Sequence, residues 1–460
     1  MGITAAYMVP HPPLLVSGVG RGDEKKIQNT VDAYHEVGRG IAAKKPETIV
    51  MISPHQTMYA DYFHISPGEG AQGDFSRFGA PEEQIKVSYD QEFVERLSGR
   101  AKEKNLPGGI LGEKERELDH GTMVPLYFVN QYWKNYRLVR IGLSGLSYLR
   151  HYELGQCIKE TAEALGKNTV VIASGDLSHC LKEDGPYGFQ KEGPKYDKAI
   201  MEIMGEGRFM ELFDFTGEFC ARAGECGHRA FVILAGALDQ SRVKSRSLSY
   251  EGPFGVGYGI CSYEVLGEDD SRDLKEQYIE KQRLHLAAKR EEDAYVRLAR
   301  NTIENLVLTG KKGEIPKGLP EEMYRRRAGV FVSIKKQGSL RGCIGTIQSA
   351  WGSLAQEIME NAISAAEKDP RFEPVMPEEL EHLTISVDVL GETEPVASLR
   401  ELDAKRYGVI VSKGEKRGVL LPNLEGVDTV EEQVSIARQK AGISPGEEIS
   451  LERFEVVRHL

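Results

Sequence analysis

The chain has 460 residues, 40% of them hydrophobic and 28% charged, and a formal net charge of −11. That length exceeds what one hydrophobic core usually serves and predicts two domains, while the composition excludes the apolar deficit of a disordered chain. The acidic balance argues against a general affinity for nucleic acid or anionic membranes and favours small molecules or proteins as partners.

The opening MGITAAYMVPHPP lacks the basic and long apolar regions of a signal peptide. No later stretch approaches the roughly 18 apolar residues of a membrane span, so a cytoplasmic location is expected. Six cysteines (Cys157, Cys180, Cys220, Cys226, Cys261, Cys343) show no CxxC pair and predict reduced thiols rather than a disulfide framework.

Taken in chain order, the apolar run ITAAYMV leads into Pro10–His11, and a helical period covers roughly Glu24–Ala43. The β-branched run ETIVMIS (Glu47–Ser53) reads as a buried strand and ends on Pro54–His55. A second helical period covers Asp90–Lys104, and ELDHGT (Glu117–Thr122) sets acidic residues beside His120, where they can orient it or tune its pKa. After a third helix, Tyr152–Leu165, the strand NTVVIA (Asn168–Ala173) runs into SGDLSH, with Asp176 and His179. GVGYGICSYEVL (Gly255–Leu266) reads as the last strand of this half.

Alternating strands and helices predict an α/β domain with a largely parallel or mixed sheet flanked by helices. The polar stretch GEDDSRDLKEQ ends it near residue 270, giving expected domains of 1–268 and 275–460. The second begins with a long charged helix around Leu274–Leu308. It continues through a strand at Gly329–Lys336, a turn at QGSLRGCIGT and a helix around Ser353–Glu367. The strand LTISVDVL and the hairpin YGVIVSKGEKRGVLLP complete a smaller α+β pattern.

Ligands of open α/β sheets gather outside the carboxyl ends of the strands, which here carry His11, His55, Asp176 and His179. Histidine serves there as a metal ligand or as an acid–base group. One histidine after a strand is more often a cap than a ligand, but four, counting His120, point to a shared site. His35, His64, His151, His285, His382 and His459 stand in helical, polar or terminal contexts and read as surface residues. In the second half, Cys343 lies between two glycines near Arg341. This setting suits either a thiol of lowered pKa or a tight turn in which Arg341 anchors carbonyls and Cys343 packs.

The segments PHPPLL, SPHQ, LDHG and SGDLSH, in this order, resemble the motifs of class III extradiol ring-cleavage dioxygenases of the protocatechuate 4,5-dioxygenase β-subunit type. The resemblance covers nearly all of residues 1–266. It implies that His11 and His55 ligate ferrous iron, that His179 is the acid–base and that His120 is a further active-site histidine. That family's third ligand is a glutamate preceding a glycine. Here Cys226 holds that place before Gly227, and Glu225 comes one residue earlier. The related Memo family is similar at His11, His55, Asp176, His179 and ECGHR, and it implies a ligand set of His11, His55 and Cys226; the neighbouring His228 is a candidate to support a ligand. If Cys226 only packs the helix start, Glu225 is the next candidate ligand. Two histidines and a thiolate suit iron, copper or zinc.

LRGCIGT, DPRFEPV and ISVDVL resemble the AMMECR1 family over about 280–460. The fusion is similar to a bacterial system in which Memo-like and AMMECR1-like proteins accompany a radical-SAM protein (AmmeMemoRadiSam system proteins B and A). Two readings follow from the resemblances. One is a metal-dependent, dioxygenase-like oxidoreductase acting on a small phenolic substrate, with His179, His120 and Asp176 as its catalytic groups. The other is a metal-binding or interaction module working with a radical-SAM partner.

Overall fold

A computed structural model describes residues 2–112, 114, 117–287, 292–336, 338–424 and 426–460; the side chains of residues 282–287 and 378 lie outside this description. The chain divides into two compact units, Met1–Lys281 and Gln282–Leu460.

The first unit is built on a six-stranded mixed sheet. Its strands are β1 (Ile3–Val9), β2 (Thr48–Ser53), β3 (Arg137–Gly142), β4 (Thr169–Ser174), β5 (Ser241–Glu251) and β6 (Tyr258–Glu268), in the order β3-β2-β4-β1-β6-β5. The first four in that order run parallel, and β6 and β5 close one edge antiparallel. Every residue of β2 and β4 is buried, because helices cover both faces of the parallel part. That is why both strands read as unbroken apolar runs instead of alternating. The outer strand β5 alternates buried and exposed positions, as a strand with one wet face does.

Besides the single turn Ser17–Gly20, the helices are α1 (Gln28–Lys44), α2 (Gln91–Glu103), α3 (His120–Val129), α4 (Tyr148–Leu165), α5 (Glu192–Glu206), α6 (Gly217–Ala223) and α7 (His228–Ala237). Their starts follow capping chemistry. Asp90 accepts from the Phe93 amide at the head of α2, and Ser147 from the Arg150 amide at the head of α4. The latter cap starts α4 at Tyr148, four residues before the position its apolar period suggests. Two of the histidines expected at the surface are in the core: His64 is 1% exposed and His151 is 0% exposed. His151 donates through Nδ1 to the Ser147 carbonyl and accepts at Nε2 from the Ser144 amide. Both of its polar atoms are thereby satisfied, which is what burial requires. His285 lies outside the described side chains.

The charged stretch expected as one helix over Leu274–Leu308 forms two, α8 (Leu274–Ala287) and α9 (Ala294–Thr309); residues 288–291 between them lie outside the described residues. The break has a local cause. Asp293 is extended, and its carboxylate caps the Tyr295 and Val296 amides, so a helix begins there anew.

The second unit is an α+β fold on an antiparallel sheet. Its strands are β7 (Val330–Lys336), β8 (Ser339–Gly345), β9 (Leu383–Leu390), β10 (Glu394–Val396), β11 (Tyr407–Lys413), β12 (Lys416–Leu420) and β13 (Ser450–His459). They run β8-β7-β9-β13-β11-β12, with β10 on β13. Helices α10 (Leu354–Glu367) and α11 (Val430–Ala441) accompany it, each capped as its Ser353 or Thr429 suggests. QGSLRGCIGT is not a turn throughout: Ser339–Gly345 is a strand paired with β7. Gly338 turns the chain at φ 83°, whereas the strand's own Gly342 and Gly345 mimic a turn signature but serve close packing. A Cβ on Gly342 would stand 2.2 Å from the Ala365 carbonyl oxygen of α10. Among the described residues no helix is long and apolar enough to cross a membrane, and all six cysteines are free thiols.

Candidate metal centre

The site sits at the carboxyl ends of β1, β2 and β4, three adjacent parallel strands. His11 follows β1 by two residues, His55 follows β2 by two, and Asp176 follows β4 by two. This common offset places one polar side chain from each strand over the same end of the sheet.

His11 is buried, and its Nε2 lies 2.9 Å from His55 Nε2 and 3.7 Å from Cys226 Sγ. The ligand atoms of His11, His55 and Cys226 all fall within 4.8 Å of one another. One ion with metal–nitrogen bonds of roughly 2.1 Å and a metal–sulfur bond of roughly 2.3 Å needs nitrogen–nitrogen spacings of roughly 3.0–3.4 Å and a nitrogen–sulfur spacing of roughly 3.6 Å. The two spacings to His11 Nε2 therefore suit a shared cation. Burial holds His11 neutral by lowering its pKa to about 4, as a ligating imidazole requires, although Asp176 pulls the other way.

Burial raises the Cys226 thiol well above its ordinary pKa, and the Asp176 and Glu225 carboxylates add to this; only the Asp176 amide, 3.3 Å from Sγ, opposes it. A thiolate there needs a positive charge beside it, which a bound cation would supply. What brings Cys226 to the cluster is a contact between two glycines. A Cβ on Gly175 would stand 2.2 Å from Gly227 Cα, so only hydrogen at both positions lets the loop after β4 meet the head of α7.

Asp176 sits between the cluster and His179. Its Oδ1 accepts from the His11 amide at 2.8 Å, and its Oδ2 lies 3.9 Å from His11 Nε2 and 3.8 Å from His179 Nε2. Burial alone would raise this carboxyl, but His11 and His179 hold it below the usual carboxylate range. His179 is partly open to solvent and stacks on exposed Tyr187, with ring centroids 5.1 Å apart. His120 is the first residue of α3, and its ring lies 4.0 Å from that of His55 and 5.4 Å from that of His11. Burial lowers its pKa, with His11 second in effect.

The structure therefore brings His11, His55, His120, Asp176, His179 and Cys226 together. It gives Glu225 a different place. That carboxylate accepts from the His228 amide at 2.6 Å and so caps α7. A side chain turned back on its own helix start is occupied there, and Glu225 does not join the three-ligand group. Burial raises its carboxyl to about 7. His228 is likewise a packed residue, bonded to the Leu212 carbonyl through Nε2 and to the Tyr196 hydroxyl through Nδ1.

Ser53, Ser174 and Arg140 shape the site and escaped the sequence reading. Ser53 and Ser174, the last residues of β2 and β4, tie those strand ends to the start of α3. Ser53 donates to Asp119 Oδ1 at 2.5 Å, and Ser174 donates to the Gly121 carbonyl at 2.6 Å. Asp119 also caps the Thr122 amide and pairs with Arg140 of β3, Nη2 to Oδ2 2.8 Å, with the guanidinium wholly buried. Burial would raise the Asp119 carboxyl, but Arg140 and the Ser53 and Thr122 hydroxyls hold it low. The available signal was the repeat itself: both strands end in serine directly before the motif residue pair, Pro54–His55 and Gly175–Asp176.

Arg341 and Cys343 belong to the second unit. Arg341 is fully engaged, with Nε and Nη2 on Glu379 at 3.0 and 2.9 Å and further bonds to the Glu373 and Pro374 carbonyls. This is the anchoring alternative. Cys343 accepts from the Ser333 hydroxyl at 3.3 Å, and its amide donates to Asp369.

Residues 5–261 match the family described as the catalytic LigB subunit of aromatic ring-opening dioxygenase, and residues 296–459 match AMMECR1. The chain belongs to the LigB family and joins that domain to an AMMECR1 domain. Protein CA_C1420 of Clostridium acetobutylicum is 43% identical over 467 aligned residues, spanning 100% of this chain and 99% of its own length. A Thermotoga maritima protein is 52% identical over 36% of this chain and 98% of its own. The solved structure of protein PH0010 from Pyrococcus horikoshii aligns at 35% identity over 36% of this chain and 88% of its own, with a TM-score of 0.34.

Proposed function

We propose that the first unit is a metal-dependent oxidoreductase of the extradiol type, acting on a small phenolic substrate. The observation that carries this reading is the meeting of His11, His55 and Cys226 ligand atoms within 4.8 Å at the strand ends. Ferrous iron held by these three would supply the electron transfer that ring cleavage by dioxygen requires.

The chain's own groups account for the rest. His179 stands at the solvent side of the cluster, where its Nε2 can take a phenolic proton while the nearby Asp176 carboxylate stabilises the imidazolium. His120, kept neutral by burial, is placed to hydrogen-bond a substrate oxygen beside His55. Tyr187 stacks on His179 and shields one face of it from water.

A second reading is favoured by Cys226 itself. A thiolate in place of a carboxylate makes a softer ligand set, which also suits copper or zinc, and a metal-binding module serving a radical-SAM partner would need no ring cleavage. Metal analysis of anaerobically purified protein, followed by catechol turnover with and without dioxygen, separates the two. Stoichiometric iron with oxygen-dependent ring opening supports the enzyme. A bound metal without turnover of any catechol supports the module, and a metal-free protein refutes both.

A further inference from the structure

Helix α3 contains a proline, Pro125, within its first two turns. A residue at that position would ordinarily donate its N–H to the carbonyl four residues back, that of Gly121, and proline has no N–H to give. The Ser174 hydroxyl approaches that carbonyl instead, at 2.6 Å. A carbonyl oxygen only accepts, so the hydroxyl proton points to Gly121.

The same Ser174 oxygen lies 3.0 Å from His11 Nδ1. With its proton directed at Gly121, the oxygen can only accept, so Nδ1 must carry hydrogen. A neutral imidazole with hydrogen on Nδ1 has a bare lone pair on Nε2. That is the atom that faces His55 Nε2 and Cys226 Sγ.

We propose that Ser174 is a positioning residue that fixes His11 in its Nδ1–H tautomer, and that Pro125 keeps the Gly121 carbonyl available for it. The chain of bonds runs from Gly121 through Ser174 to His11 Nδ1 and leaves Nε2 ready to ligate. A buried hydroxyl thereby does for His11 what a carboxylate or carbonyl commonly does for a ligating histidine. The inference deepens the metal-centre reading and rests on it for its consequence, although the tautomer itself is a property of the metal-free protein.

The test uses the full chain with 15N-labelled histidine, metal-free at neutral pH, and zinc alone as the metal probe. In the wild type, His11 Nδ1 should resonate as a protonated nitrogen and Nε2 as an unprotonated one. In Ser174→Ala that assignment should be lost, and zinc affinity, measured by competition with a chromophoric chelator, should fall by about 10- to 100-fold, the usual effect of removing such a partner. Ser174→Thr, which keeps the hydroxyl, should restore both. Pro125→Ala gives Gly121 a competing amide and should weaken the Nδ1–H signature in the same direction. Retention of the wild-type tautomer and zinc affinity in Ser174→Ala overturns the inference. A wild type that binds no zinc yet loses the Nδ1–H signature in Ser174→Ala supports the tautomer assignment and refutes the metal centre, so the two failures are distinguishable.

Discussion

Gly175→Ala tests how the metal centre is assembled. Gly175 does not have a positive φ, so alanine is tolerated by the backbone, and the whole effect is steric. The new Cβ would stand 2.2 Å from Gly227 Cα, whereas ordinary contact begins at 3.4 Å. The loop after β4 and the head of α7 must part by about 1.2 Å, because both atoms belong to backbone and neither can rotate away. Cys226 precedes Gly227, and its Sγ is 3.7 Å from His11 Nε2. Opening by that amount carries the pair to about 4.9 Å, beyond the roughly 4.4 Å that two bonds to one ion can span. The variant should lose about 1–3 kcal/mol of stability from overpacking. Its metal affinity should fall to that of Cys226→Ala. Chelator competition and thermal unfolding measure the two effects, with Gly99→Ala as the control, since nothing lies within 4 Å of a Cβ there. A Gly175→Ala protein with wild-type metal affinity would refute the reasoning, because the contact would then be dispensable for placing the sulfur.

Three further outcomes follow from buried charge. Asp197 is buried, and its carboxyl is raised to about 6 by desolvation against the opposing Ser178 amide and Tyr250 hydroxyl bonds. Since the folded state holds this proton more tightly than the unfolded chain, its contribution is full below about pH 4 and is lost as pH rises through about 6. Asp197→Asn should flatten that slope and be the more stable protein at neutral pH, by at most about 3 kcal/mol, as denaturant titrations across pH would show. Arg140→Ala leaves Asp119 buried without its cation, so a loss of about 3–5 kcal/mol is expected together with weakened metal binding; stability within 1 kcal/mol of wild type would count against the role given to α3. In the second unit, Glu379 is held down to about 2; burial opposes this, and Arg341 leads the groups that lower it. Its contribution is present above about pH 4.5 and lost as pH falls through about 2, and in Arg341→Met the acid limb of the stability profile should shrink by about 1–3 kcal/mol, with Lys336 retaining part of it.

The strands that build the site were legible because parallel strands covered on both faces read as continuous apolar runs, as TIVMIS and TVVIAS do. The histidines at their ends were legible for the same reason, since each stands at a fixed offset from a recognisable strand. Periodicity missed α3 because its ten residues are buried nearly all round, so no polar face marks it. It missed β3 because a fully buried arginine interrupts the run at Arg140, and an arginine is placed inside only when a partner such as Asp119 is known. The glycines of β8 looked like turn residues, and only the positions of α10 against Gly342 and of β7 against Gly345 show that they are there for close approach. His151 looked like a surface residue because the bonds that satisfy it come from the Ser144 and Ser147 backbone and leave no trace in sequence spacing.

The most direct measurement is the optical spectrum of the cobalt-substituted protein, wild type and Cys226→Ser. One centre built from His11, His55 and Cys226 predicts one cobalt per chain and a thiolate-to-cobalt charge-transfer band. That band should vanish in Cys226→Ser while the fold is retained. A wild type that takes up cobalt without that band, or one whose band survives the loss of Cys226, would contradict the ligand set on which the account rests.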